Sequence, residues 1–199
     1  MEISINGNFE EVQKILESVP VKIAQPALIQ ALNRVGRDAR NAGRKALRNV
    51  TGISPKAART RIRGATKKSR ATRKQPNVRI FVRTEKPIKY SKGFSKTKIR
   101  KNKEQGSFLA TMPDSGKFSR WKRQGAKRKP TKGFYAGKNS SRGERKGQPI
   151  LRQPIVELEK TLHPHGTRAA QAAIFRKVRS DLSKQVKKSV NLKLSKMKR

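Results

Sequence analysis

The stretch "RAAQAAIFRKVRSDLSKQVKKSVNLKL", residues 168–194, places Ala170, Ile174, Val178, Leu182, Val186, Val190 and Leu194 at one apolar residue in every four. An α-helix turns about 100° per residue, so each four-residue step overshoots a full turn by about 40°. The apolar line therefore winds around the helix instead of keeping to one face. The spacing predicts a final helix of about 25 residues, entered after the break at "HPHG", with successive stretches meeting different partners or the last turns fraying.

Other segments read as helix from the N-terminal side. "FEEVQKILESV" (9–19) has an apolar stripe of Phe9, Val12, Ile15, Leu16 and Val19, with Asn8 as its cap, Glu10 and Glu11 in the first turn, and Pro20 as its stop. A longer helix is expected around 22–50, entered near Pro26, with Ala27, Ala31, Val35, Ala39, Ala42, Ala46 and Val50 spaced by three or four. Those residues are mostly small, which permits close approach by a helix or a sheet, while Gly36 and Gly43 argue against one straight rod. Ser54-Pro55 has the form of a cap followed by proline at the first helical position, opening a short basic helix, "KAARTRIRGA".

The strand signals lie between these helices. "NVRIFVR" (77–83) alternates with Val78, Ile80 and Val82 on one face, and "PIKYSKGF" (87–94) is expected to pair with it. "GSFLATMPDSGKFSRWKRQG" (106–125) reads as a β-hairpin turning at Pro113-Asp114-Ser115-Gly116, with Gly116 supplying a positive φ and Phe118 and Trp121 on the return strand. Residues 154–162 are expected to form a short helix. The fold class that follows is α+β: N-terminal helices and a long C-terminal helix packed on a small antiparallel β-sheet, with long basic loops.

With 199 residues the chain suits one domain with appendages. It holds 52 Lys and Arg against 12 Asp and Glu, a formal net charge of +40. Residues 56–103 carry 19 basic groups and 1 acidic, and residues 117–147 carry 12 and 1, so the surplus is concentrated in the middle. Segments 56–76, 91–105 and 124–148 read as basic arms or loops that become ordered on assembly. Such a charge repels itself and calls for a polyanionic partner, nucleic acid first. No run approaches the roughly 20 apolar residues of a membrane span, so no membrane partner is expected. The start, "MEISINGNFEEV", lacks the basic and apolar regions of a signal peptide, and the absence of cysteine fits a reducing cytoplasm.

Candidate chemistry is sparse. Ser54 reads as a helix cap rather than a nucleophile, and His163 and His165 lack the further ligands that zinc requires. Asp114 and Glu144, the latter beside Arg145 and Lys146, faintly suggest a magnesium-dependent nuclease, but Asp114 suits a turn and Glu144 a loop. Glu157 and Glu159 sit two apart on the expected helix and point in different directions. No enzyme and no cofactor are expected. The candidate nucleic-acid-binding residues are Lys122, Arg123, Lys127, Arg128, Lys129, Lys132, Lys138, Arg142, Arg145 and Lys146, spaced by Gly, Ser and Pro in a way that suits phosphate contact rather than base reading. Phe134 and Tyr135 could stack on bases or pack onto the domain.

The order of segments resembles the minor tail protein Z family of lambda-like tailed phages across nearly the whole chain. The segments are "QALNRVGRDAR", "RTRIRGATKKSRATRKQPNVRIFVR", "IKY", the "GSFLATM" hairpin, "RQGAKRK", "QPI" and a terminal amphipathic helix. The resemblance implies a single tail-completion-like domain spanning 1–199, in a virion protein of the tail or neck assembled in the host cytoplasm. It further implies a homo-oligomeric ring, expected as a hexamer, among neighbouring phage neck and tail proteins. There it would contact double-stranded DNA non-specifically and help position the genome end. The loop at 124–148 is longer and richer in Lys and Gly than the resemblance leads one to expect. The rival expectation is a ribosomal or other RNA-scaffolding basic protein.

Overall fold

The structure, a computed structural model, describes residues 1–6, 9–64, 69–101, 104–111, 116–123, 129–130, 151–152 and 155–197. From the N-terminus the elements are β1 (Glu2–Ile5), α1 (Glu10–Glu17), α2 (Val21–Thr51), α3 (Pro55–Arg61), β2 (Ile62–Gly64), β3 (Val78–Val82), β4 (Ile88–Lys89), α4 (Tyr90–Gly93) and α5 (Lys96–Lys101). There follow β5 (Ser107–Thr111), β6 (Phe118–Arg123), β7 (Lys129–Pro130), β8 (Leu151–Arg152), β9 (Ile155–Glu157), β10 (Glu159–Lys160) and α6 (His165–Met197). The fold is α+β with small antiparallel sheets. Its residues cluster into two compact units, Met1–Lys86 with Leu162–Arg199, and Pro87–Thr161.

In the first unit the long helices α2 and α6 lie side by side and antiparallel: Gly43 faces Ile174, while Leu47 and Thr51 face Gly166. The every-fourth line of α6 is buried from Ala170 through Ile174, Val178, Leu182 and Val186 to Val190. Burying each of these larger aliphatic side chains is worth about 1.5–3 kcal/mol, far more than helix propensity supplies. As the line winds, α6 also meets α1, and its last turns leave the packing, with Leu192 44% and Met197 69% exposed. The helix runs 33 residues, longer than its apolar line alone indicates.

The line on α2 follows the same rule. Ala27, Ala31, Val35, Ala39, Gly43, Leu47 and Thr51 are buried, again one in four. The expected continuation through Ala42, Ala46 and Val50 is therefore corrected, and Val50 is 54% exposed. Pro26 sits inside the helix near its start and Gly36 and Gly43 within it, so the segment is one 31-residue helix entered at Pro20 rather than near Pro26.

The sheet of this unit has strand order β1-β3-β2. Ile3 faces Ile80, Ile5 faces Val78 and Ile62 faces Val82, which lines six buried aliphatic residues along one face. At Gly36 the helix comes so close that an added β-carbon would stand 2.5 Å from Val78 Cγ1. Ser54 caps α3 as expected, accepting from the Ala57 amide at 3.2 Å, but the helix stops at Arg61 because Ile62 turns into the sheet. The cap position of α1 is Phe9, without a side-chain hydrogen bond, rather than Asn8, which lies outside the described residues.

The second unit corrects two expectations. Residues 87–94 do not pair with β3: Ile88–Lys89 pairs with β10, and Tyr90–Gly93 makes a helical turn. The helix expected over 154–162 is replaced by two short strands, β9 (Ile155–Glu157) and β10 (Glu159–Lys160), with β9 added to the hairpin in the order β5-β6-β9. Within 91–105, α5 buries Ile99, and Tyr90 stacks on Phe94 with ring centroids 4.9 Å apart. Among the described residues, no helix is long and apolar enough to cross a membrane.

Candidate nucleic-acid interface

The hairpin forms as expected, with Phe108 opposite Trp121 and Thr111 opposite Phe118, and Gly116 has the expected positive φ, 59°; Pro113, Asp114 and Ser115 of the expected turn lie outside the described residues. Because side chains alternate across a strand, Phe108, Trp121 and Arg123 share one face while Phe118, Arg120 and Lys122 share the other. Lys122 and Arg123 are both exposed at the end of β6. Arg123 places its guanidinium carbon 5.7 Å from the Phe108 ring centroid, and Arg100 of α5 stands 5.5 Å from that of Phe118. Contacts of this kind are worth about 0.5–1 kcal/mol at exposed sites. They leave the guanidinium edges free to donate to phosphate.

Arg120 positions this surface. It is 5% exposed, donates to Ser107 Oγ at 2.8 Å, and reaches the carbonyls of Ile99 and Arg100 at 3.3 and 3.5 Å. Those carbonyls belong to the end of a short helix, where a cation is favoured. The bonds tie α5, and with it Arg100, to the hairpin.

Two described carboxylates of this unit, Glu104 and Glu157, are committed to hydrogen bonds. Glu104 accepts from the Tyr90 hydroxyl. Glu157 accepts from the Ser91 amide and the Ser119 hydroxyl, both at 2.7 Å. Burial works to raise the Glu157 pKa, but the contacts with Ser91 and Ser119 and the charge of Lys89 outweigh it and hold the carboxyl below its ordinary value. Glu157 and Glu159 lie on successive strands, the first turned inward and the second exposed, and they form no acid pair.

Of the expected binding residues, Lys122 and Arg123 are neighbours at the exposed end of β6, their side chains on opposite faces of the hairpin. The backbone of Lys129 pairs with Arg152. Lys127, Arg128, Lys132, Lys138, Arg142, Arg145 and Lys146 lie outside the described residues, as do Asp114, Phe134, Tyr135 and Glu144. Among the described residues no three His, Asp or Glu side chains gather as metal ligands would. Sequence reading missed the aromatic support of Arg123 and Arg100. It also missed a row of arginines on α2, whose signal is the spacing of Arg37, Arg40 and Arg44 along one helix face. Compared with family models, curated proteins and solved structures, the chain matches none.

Proposed function

We propose that the protein is a non-enzymatic structural component of a phage virion, a tail completion or neck protein that forms a ring and grips double-stranded DNA without regard to sequence. The carrying observation is the charge itself: 52 cationic side chains face 12 acidic ones, so pairing every carboxylate would still leave 40 cations without a counter-charge. Some of the described carboxylates are moreover occupied within the fold, Glu2 by Arg79, Asp181 by Lys177, and Glu104 and Glu157 by hydrogen bonds. Duplex DNA presents one negative charge per about 1.7 Å of axis, enough to screen several such subunits set side by side. The hairpin serves as a rigid mount for Lys122 and Arg123, and the chain that follows extends the contact. The place in the tail or neck rests on the segment-order resemblance.

The test is cross-linking in intact particles. Ultraviolet irradiation of purified virions followed by mass spectrometry should find this chain in several copies per particle, with DNA adducts on peptides that include residues 117–147. Absence of the chain from particles, with co-sedimentation on ribosomal subunits, would contradict the reading and favour an RNA scaffold.

A further inference from the structure

In the first unit, β2 is an edge strand, and two arginines of α2 cover its open carbonyls. Arg40 Nη1 donates to Gly64 O at 2.5 Å, and Arg44 Nε donates to Ile62 O at 3.0 Å. Four helical residues rise about 6 Å and two strand residues about 6.6 Å, so arginines one turn apart match alternate carbonyls. Edge protection explains these two bonds. It does not explain what lies beside them.

Arg37, Arg40, Arg70 and Arg79 line a cavity of about 160 Å³ that is backed by Gly36 and Gly64. The Nε of Arg40 is shut away from solvent and has no hydrogen-bond acceptor. Glu2 pairs with Arg79 at 3.5 Å, and among the described residues no carboxylate pairs with Arg37, Arg40 or Arg70. Burial first, and then the charges of Arg37 and Arg70, push the Arg40 guanidinium below its ordinary pKa. A partly desolvated cation crowded by two others is a costly arrangement that an anion relieves. Across the cavity, Asn33 holds the Arg70-bearing segment in place with a two-way bond to Ala71, 3.0 Å in each direction.

We infer that this notch is a binding site for one phosphate group of a nucleic-acid backbone, taken by the exposed Arg37 and Arg70 with Arg40 anchored between the helix and the strand. Planar guanidinium forks suit the paired oxygens of a phosphate. The volume falls below the roughly 300–1,000 Å³ of small-molecule pockets, so the notch takes a phosphate and leaves base and sugar outside. Contact of this type fixes the polymer's position without reading its sequence. A second copy of the chain is a poor source of the anion, since only 12 of its 199 residues are acidic. The identity of the polymer rests on the function proposed above; the notch itself is built from residues of the first unit alone.

The experiment uses the full chain, with Arg37→Gln/Arg70→Gln as the test variant and Lys45→Gln/Arg48→Gln, exposed on α2 outside the notch, as the charge-matched control. Affinity for a 30-base-pair duplex is measured across a salt series, and arginine Nε–H resonances are followed as inorganic phosphate replaces chloride at constant ionic strength. The expected result is a salt slope smaller by about one in the test variant than in the control, with Arg37, Arg40 and Arg70 resonances shifting saturably with phosphate. Steep duplex binding with the same slope in both variants, or no saturable shift, overturns the notch and leaves the functional reading standing. Saturable phosphate binding in a chain whose duplex affinity ignores salt overturns the assignment to nucleic acid together with the reading it rests on.

Discussion

Gly36 shows how a single residue sets the distance between a helix and a sheet. Replacing glycine by alanine inside a helix ordinarily gains about 1 kcal/mol. Here the new methyl would stand 2.5 Å from the Cγ1 of Val78, a branched and buried side chain on β3. Overpacking of this kind costs about 1–3 kcal/mol, so Gly36→Ala should lower the urea midpoint of the full chain despite its better propensity. Glu157 gives a second prediction at this scale. Its pKa is depressed in the fold, so its stabilising effect is fully present above the ordinary glutamate range and is lost as pH falls through the lower folded value. Protection of the Ser91 amide against hydrogen exchange should fall with acidification below that range, and Glu157→Gln should remove the acid dependence. Neither residue announced its role in the sequence. A glycine carries no hydrophobic signal, so sequence alone draws the α2 line through Ala42 instead of Gly43, and it sets Glu157 on a helix, pointing away from Glu159.

The elements divide by how much local pattern they carry. The every-fourth line of α6 was legible because six buried residues repeat over twenty, and the hairpin was legible because alternation and turn chemistry agreed. The short strands were not. Residues 155–160 lie in two strands of three and two residues, too brief for alternation to outweigh a helix-like composition, and their pairing with β6 and β4 is decided by partners distant in sequence. The pairing of β3 with β1 and β2, rather than with residues 87–94, is a tertiary choice of the same kind. The winding line predicts a sharp contrast along α6. Leu182→Ala, at a residue 1% exposed, should cost about 2–5 kcal/mol by denaturation, whereas Leu192→Ala, at 44% exposure, should stay within about 0.5 kcal/mol.

Across the whole molecule, charge is the property that sequence states most plainly and locates least well. The surplus of 40 is fixed by composition, yet composition does not say which cations converge. Lys122 and Arg123 are identifiable because they end the return strand of a hairpin that alternation and turn-forming residues mark in the sequence. The α2 arginines were hidden because their alignment with the β2 edge requires two elements to meet. If the hairpin surface contacts phosphate, Lys122→Ala/Arg123→Ala should reduce the salt slope of duplex binding by about two, irrespective of base sequence. The central claim is that these cations exist to be neutralised by DNA, and it is tested most directly by the affinity of the unmodified chain for duplex DNA between 50 and 200 mM salt. Neutralisation of six to ten phosphates predicts a loss of about 10³–10⁵ in affinity over that range; an affinity that stays constant would contradict it.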